Sequence, residues 1–393
     1  MQADIFCRVV DNYGDIGVCW RLARRLAQGH GWSIRLWVDD LQAFARIQPG
    51  IQIDAPRQIV DAIDVVHWTP DPPALPPSDV VIEAFACDPP PAFVRAMQPS
   101  GARAQPPIWI NLEYLSAEPW VESCHGLPSQ RPDGLIKHFF FPGFTPATGG
   151  LLREPGLSAQ RDRFQASRPQ QELFLRDLGL DDDALAHWRA GARLVSLFCY
   201  PQAPVDALCE ALANDARATL LLVPEGVAPG LEQTPEAAHV RIARVPFVAQ
   251  PDFDRLLWCA DLNFVRGEDS FVRAAWAARP LVWQIYPQDE DAHLEKLEAW
   301  LARYPAPAPA QTAIRAWNTA LPANNGRRDQ RASVSAAPDA AARTTAAFLS
   351  AALATPAWQE WQDAARRWDA SQALHPDLAD NLASFCAKLS KKR

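Results

Sequence analysis

No apolar run in this 393-residue chain approaches the roughly 20 residues that carry a helix across a bilayer, so no membrane span is expected. The N-terminus places Asp4 where a secretory signal would be basic and then apolar, so no signal peptide is expected either. Beyond the short tail Lys388–Arg393, which reads as a solvated terminus, there is no basic cluster. The net charge is −8, and nucleic acid is therefore not an expected partner. The eight cysteines form no C-x-x-C pair and mostly sit in apolar surroundings, as buried thiols of a reducing compartment do, so the expected location is the cytoplasm. His67, His125 and His138 have no metal-ligand spacing and read as structural. A dinucleotide G-x-G-x-x-G fingerprint is missing, as are local signatures of Ser-His-Asp or Cys-His catalysis.

What is present is a soluble globular composition, 48% hydrophobic, in a chain long enough for two domains. Segments at 4–10, 33–38, 79–83 and 108–111 read as strands. Residues 16–27 carry Val18, Leu22 and Leu26 on one helical face, and a further helix is expected from Leu41. The alternation predicts a parallel, doubly wound sheet over residues 1–155. The turn-rich stretch Pro142–Gly150 and the polar residues after it predict a linker over 156–190.

A second α/β series spans 191–355. Strands are expected at 194–198, 218–223, 240–247, 262–265 and 281–285, and helices at 204–213 and 252–259, from Ser270 and from Asp291. Pro305–Pro309 reads as a turn and 322–339 as a polar loop. Trp358, Trp361, Ala365 and Trp368 stand at helical spacing, so 356–393 is expected to be a helical segment packing against the domains. The 15 tryptophans are read as core and the 36 prolines as strand-flanking punctuation, so neither count indicates an activity.

Two loops can carry chemistry. Asp11-Asn12-Tyr13-Gly14-Asp15-Ile16-Gly17 joins the first strand to the first helix, and its glycines permit a tight turn. Asp15 stands where a helix cap belongs, and Asp11 can make an Asx-turn. Two carboxylates four residues apart at a strand's carboxyl end can equally supply a general base. Arg266-Gly267-Glu268-Asp269-Ser270 opens the helix after the 262–265 strand. Capping by Asp269 or Ser270 accounts for one of these residues and not for five. A helix N-terminus offers amides and a positive dipole end to a diphosphate, with Ser270 as a further donor. Tyr200 follows the 194–198 strand and either stacks on a base or fills core; Gln250 and Phe253 follow the 240–247 strand and either meet a base edge or form a plain loop. Pro287–His293, rich in acids, reads as a solvated helix start.

The stretch Phe253–Ser270, followed by Arg279–Pro287, resembles the donor-binding half of GT-B glycosyltransferases, in which two Rossmann-like domains face each other across a cleft. Asp-Asn-Tyr-Gly-Asp-Ile-Gly-Val near the N-terminus, with Arg-Gly-Glu-Asp-Ser-Phe-Val-Arg-Ala, resembles more specifically the EarP family of bacterial protein-arginine rhamnosyltransferases. That resemblance implies transfer of L-rhamnose, with inversion, from dTDP-β-L-rhamnose to an arginine of translation elongation factor P, which relieves ribosome stalling at polyproline. It implies no cofactor and no metal. Asp15 would be the general base or orient the acceptor guanidinium, Asp11 would support that loop, and Glu268 would be the second essential carboxylate, near the sugar. Asp269 and Ser270 would bind the diphosphate end, Arg273 would help offset its charge, and Gln250, Phe253 and Tyr200 would hold the thymidine. Asn12, Tyr13, Gly14, Gly17, Phe198, Arg266 and Gly267 complete the implied donor site. The alternatives are a GT-B enzyme with another nucleotide sugar and acceptor, or a non-catalytic nucleotide-sugar-binding protein, which would not need the N-terminal carboxylates.

Overall fold

The computed structural model describes residues 1–11, 13–99, 105–231, 237–319 and 337–391. It divides into two compact units: unit 1 is Met1–Pro155 with Gln372–Arg393, and unit 2 is Gly156–Ser371.

Unit 1 runs β1 (Gln2–Cys7), α1 (Gly14–His30), β2 (Ser33–Val38), α2 (Leu41–Ile47), β3 (Arg57–Val60), β4 (Ile63–His67), β5 (Val80–Ala84), α3 (Pro91–Ala96), β6 (Ile108–Leu112), α4 (Trp120–Cys124), β7 (Pro128–Gln130) and β8 (Ile136–Phe140). Its eight strands lie in the order β3-β4-β2-β1-β5-β6-β8-β7. The inner strands pair in parallel, and β3 and β7 close the edges antiparallel. The chain winds outward from β1 through β2 and β4, then returns to the other side of β1 with β5. The crevice at the carboxyl ends of β1 and β5 is thus the topological switch point, where open α/β sheets take ligands. β5 and β6 are buried along their whole length, as strands covered on both faces are. The one acid in β5, Glu83, is fully buried and pairs with Lys137 of β8.

Unit 2 runs α5 (Leu157–Gln165), α6 (Arg168–Asp177), α7 (Asp182–Arg189), β9 (Arg193–Leu197), α8 (Val205–Ala213), β10 (Thr219–Pro224), β11 (Val240–Val245), α9 (Gln250–Cys259), β12 (Leu262–Arg266), α10 (Asp269–Trp276), β13 (Leu281–Gln284), α11 (Ala292–Leu301), α12 (Ala308–Thr319), α13 (Ala337–Leu353) and α14 (Ala357–Gln372). Its all-parallel sheet is ordered β11-β10-β9-β12-β13, with the switch point between β9 and β12.

The structure departs from the sequence reading in four places. Residues 156–190 are not a linker but three helices of unit 2. Their sparse apolar residues (Leu157, Phe164, Phe174, Leu185) are buried, and Arg161 binds the Trp276 carbonyl at 2.8 Å and Asp369 at 2.7 Å. The C-terminal helical segment is shared. In α14, Trp361 donates to the Tyr304 hydroxyl at 3.1 Å within unit 2. The last helix, α15 (Leu378–Lys391), belongs to unit 1, where Arg25 of α1 pairs with Asp377 and with Asp380 at 3.3 Å. The β3–β4 hairpin has no sequence signal, because its turn uses Asp61 and Ala62 at φ +49° and +63° instead of Asn-Gly. The expected turn at 305–309 already contains the start of α12, and the expected loop 322–339 lies outside the described residues except for the first turn of α13.

Candidate active site

In unit 1 the loop after β1 is organised around Asp15. The N-cap of α1 is Tyr13, so Asp15 lies inside the first turn and is not its cap. Its Oδ2 reaches back and accepts the amides of Val10 at 2.8 Å and Asp11 at 2.9 Å. Gly14 donates its N–H to the Asp11 carbonyl at 2.7 Å. A Cβ at Gly14 would stand 3.2 Å from Asp11 Oδ2, so the absent side chain lets the two residues approach. Gly17 donates to the Tyr13 carbonyl at 2.9 Å, closing the first helical turn. Asp15 is 3% exposed. Burial pushes its carboxyl above the usual range, the two amide bonds pull the other way, and the charges of Asp11 and Asp39 add to the rise. Asn12, the remaining residue of the motif, lies outside the described residues.

In unit 2 the loops after β9 and β12 meet at the switch point. The guanidinium of Arg266, the last residue of β12, lies over the rings of Phe198 at 4.7 Å and Tyr200 at 4.6 Å. Phe198 touches Phe253 and Phe247 edge-on, with centroids 5.7 and 6.3 Å away. Tyr200 meets Tyr286 at 5.8 Å, and its amide donates to Gln284 Oε1 at 2.8 Å. Gly267 turns the chain at φ +65°. Its carbonyl accepts from Trp283 Nε1 at 2.8 Å and its amide donates to the Gln284 carbonyl at 3.3 Å, which ties the turn to β13. The N-cap of α10 is Glu268, which makes no side-chain cap, so neither Asp269 nor Ser270 caps the helix. Glu268 and Ser270 are partly exposed, beside the amides that every helix start leaves unpaired.

Asp269 and Arg273 stand elsewhere than the sequence reading put them. Arg273 is 2% exposed and donates Nε to Asp269 Oδ2 at 2.8 Å and Nη1 to both oxygens of Asp254 at 2.9 Å. Gln250 Nε2 donates to the same Asp269 Oδ2 at 3.3 Å. These contacts make a buried brace between α9 and α10. They engage Nε and Nη1 of Arg273 with carboxylates, and Asp269 and Gln250 are buried as well. Sequence reasoning missed Asp254, Gln284 and Tyr286. Gln284 had a signal, a polar residue within the apolar run of β13; Asp254 and Tyr286 had none.

Among the described residues no group of three His, Cys, Asp or Glu side chains is arranged to hold a metal, and no helix is long and apolar enough to cross a membrane. In the acidic 287–293 segment, His293 Nδ1 accepts the Gln288 amide at 3.2 Å at the start of α11.

Residues 3–387 match the family model of the elongation-factor P (EF-P) rhamnosyltransferase EarP. The protein-arginine rhamnosyltransferase of Pseudomonas putida is 48% identical, covering 97% of this chain and 97% of that protein. The Pseudomonas aeruginosa protein-arginine rhamnosyltransferase is 47% identical over 98% of both. A solved EarP structure, from work on arginine glycosylation of translation elongation factor EF-P, superposes with a TM-score of 0.62 at 33% identity, covering 98% of this chain and 99% of that one. The glycosyltransferase Phytolacca americana UGT2 shares the fold alone, at TM-score 0.51 and 10% identity over 99% of both chains. The chain belongs to the EarP family, and its two Rossmann-like units are those of the GT-B class.

Proposed function

We propose that this EarP-family protein is an inverting protein-arginine rhamnosyltransferase that moves L-rhamnose from dTDP-β-L-rhamnose to an arginine of elongation factor P. The observation that carries the mechanism is Asp15, a buried carboxylate with a raised pKa at the switch point of unit 1. A guanidinium is protonated at neutral pH and is a poor nucleophile. Asp15 orients it and takes one proton as the nitrogen forms its bond to the anomeric carbon. The bond from that carbon to the diphosphate breaks on the opposite face, and dTDP leaves with the electron pair. Asp11 supports the loop that holds Asp15.

Unit 2 handles the donor. The Phe198 and Tyr200 rings under Arg266, with Phe253 edge-on to Phe198, form the aromatic group that holds the thymidine. The α10 amides and Ser270 receive the diphosphate charge as it develops, a role that needs no metal. Glu268, partly exposed at the same turn, accepts hydrogen bonds from the sugar hydroxyls. The Gln250–Asp269–Arg273–Asp254 brace holds this turn in place.

The test is the intact mass of elongation factor P after incubation with the protein and dTDP-L-rhamnose. Gain of one deoxyhexose, lost when the modified arginine is replaced by lysine, is the expected result. No gain while calorimetry still detects dTDP-rhamnose binding would keep the donor and overturn the acceptor.

A further inference from the structure

After β5 the chain makes a turn that its residues do not favour. Phe85, Ala86 and Asp88 have φ of +58°, +53° and +47°, a left-handed region that side chains avoid. β6 holds the turn there: Phe85 N–H donates to the Leu112 carbonyl at 2.7 Å, and Ala86 N–H to Asn111 Oδ1 at 3.1 Å. Asn111 in turn donates Nδ2 to Glu113 Oε1 at 2.5 Å. The result is a parallel stack of Phe85 on Tyr114, with centroids 4.3 Å apart and planes 13° apart. The pair stands outside the aromatic core of the unit, which runs through Phe6, Trp37, Phe93 and Trp109, and Tyr114 is 36% exposed.

The register puts this stack beside the Asp15 loop. Ala84 pairs with Leu112 across β5 and β6, and Phe6 with Glu83 across β1 and β5. Phe85 and Tyr114 therefore leave the sheet at the same edge as Val10, which is 63% exposed, and Asp11. The acids on these loops are Glu113, Glu118, Asp88 and Asp11, with Asp15 in the helix turn beside them. The cation on the described residues of these loops, Arg8, lies over Trp68 at 5.0 Å and 4.0 Å from Asp39. The exposed Tyr114 ring among carboxylates suits a guanidinium, which stacks on aromatic faces and pairs with acids.

We propose that Tyr114, backed by Phe85, with Glu113, is a docking platform for the arginine-bearing loop of the protein acceptor. A guanidinium of that loop lies on the Tyr114 ring, and Glu113 pairs with its charge. This inference rests on the arginine-acceptor reading above.

Steady-state kinetics with elongation factor P at saturating dTDP-L-rhamnose test it. Tyr114→Ala is expected to raise the acceptor KM about tenfold, with kcat changed less than about twofold and dTDP affinity by calorimetry intact. Tyr114→Leu, which keeps bulk without a π face, should match it, and Tyr114→Phe should restore most of the affinity. An unchanged acceptor KM in both Tyr114→Ala and Tyr114→Leu would overturn the platform. So would a Tyr114→Phe loss as large as that of Tyr114→Ala, or parallel loss of dTDP binding. No turnover by the unaltered protein would overturn the arginine-acceptor reading itself, an outcome distinct from wild-type turnover with indifferent Tyr114 variants.

Discussion

Asp15 Oδ2 accepts the backbone N–H of Asp11 at 2.9 Å, from inside the helix toward the loop that precedes it. The direction matters. A helix cap would serve the amides ahead of it, and Asp15 serves those behind, so the carboxylate shapes the loop at the carboxyl end of β1 while burial keeps it ready to take a proton.

Asp15→Asn preserves size and one amide-accepting oxygen but cannot take a proton. Turnover should fall at least about a hundredfold, the usual scale of a lost general base, while dTDP-rhamnose binding by calorimetry is retained. Near-normal turnover would reduce Asp15 to a loop support.

The raised carboxyl of Asp15 sets a pH dependence. The folded protein holds this proton more tightly than the unfolded chain, so the stabilisation it provides is complete below about pH 4, the unfolded value, and is lost as pH rises through the raised folded value. Asp15→Asn lacks this titration. Its urea midpoint relative to wild type should rise across that window and level off above it. In kinetics, the acid limb of wild-type kcat/KM should lie above the ordinary carboxylate range. A relative midpoint that falls with rising pH contradicts the assignment.

Arg273→Ala leaves Asp254 and Asp269 buried without their cation. Unfolding free energy should drop by about 3–5 kcal/mol, as for other buried pairs broken on one side. A loss under about 1 kcal/mol in denaturant titration would show that the brace is dispensable.

Ser270→Ala should weaken dTDP binding roughly tenfold, the range for a hydrogen bond to a charged group, with little effect on the acceptor KM. Calorimetric affinity equal to wild type would remove Ser270 from the diphosphate.

Chelation of divalent ions should leave turnover intact, because helix amides and Ser270 are proposed to meet the leaving charge. Loss on chelator treatment, restored by added magnesium or manganese, would require a metal.

The sequence by itself determined the two α/β series. Their strands are short apolar runs ended by polar turns, and β2 occupies the expected 33–38. It also marked the loops at 11–17 and 266–270, because a cluster of charged and small residues between a buried strand and a helix is a local pattern. Tertiary structure alone decided what those residues do. Asp15 looked like a cap until the loop folded back over it, and Arg273 looked like a ligand until Asp254, nineteen residues earlier, was seen bonded to it. The same holds for the helices at 157–189, whose few apolar residues find a core only in unit 2, and for the Phe85–Tyr114 stack, whose partners lie on the loops after two different strands. Helical and strand periodicity act over a few residues and are legible in order along the chain. Burial, ion pairing and pKa depend on neighbours that only the fold brings together.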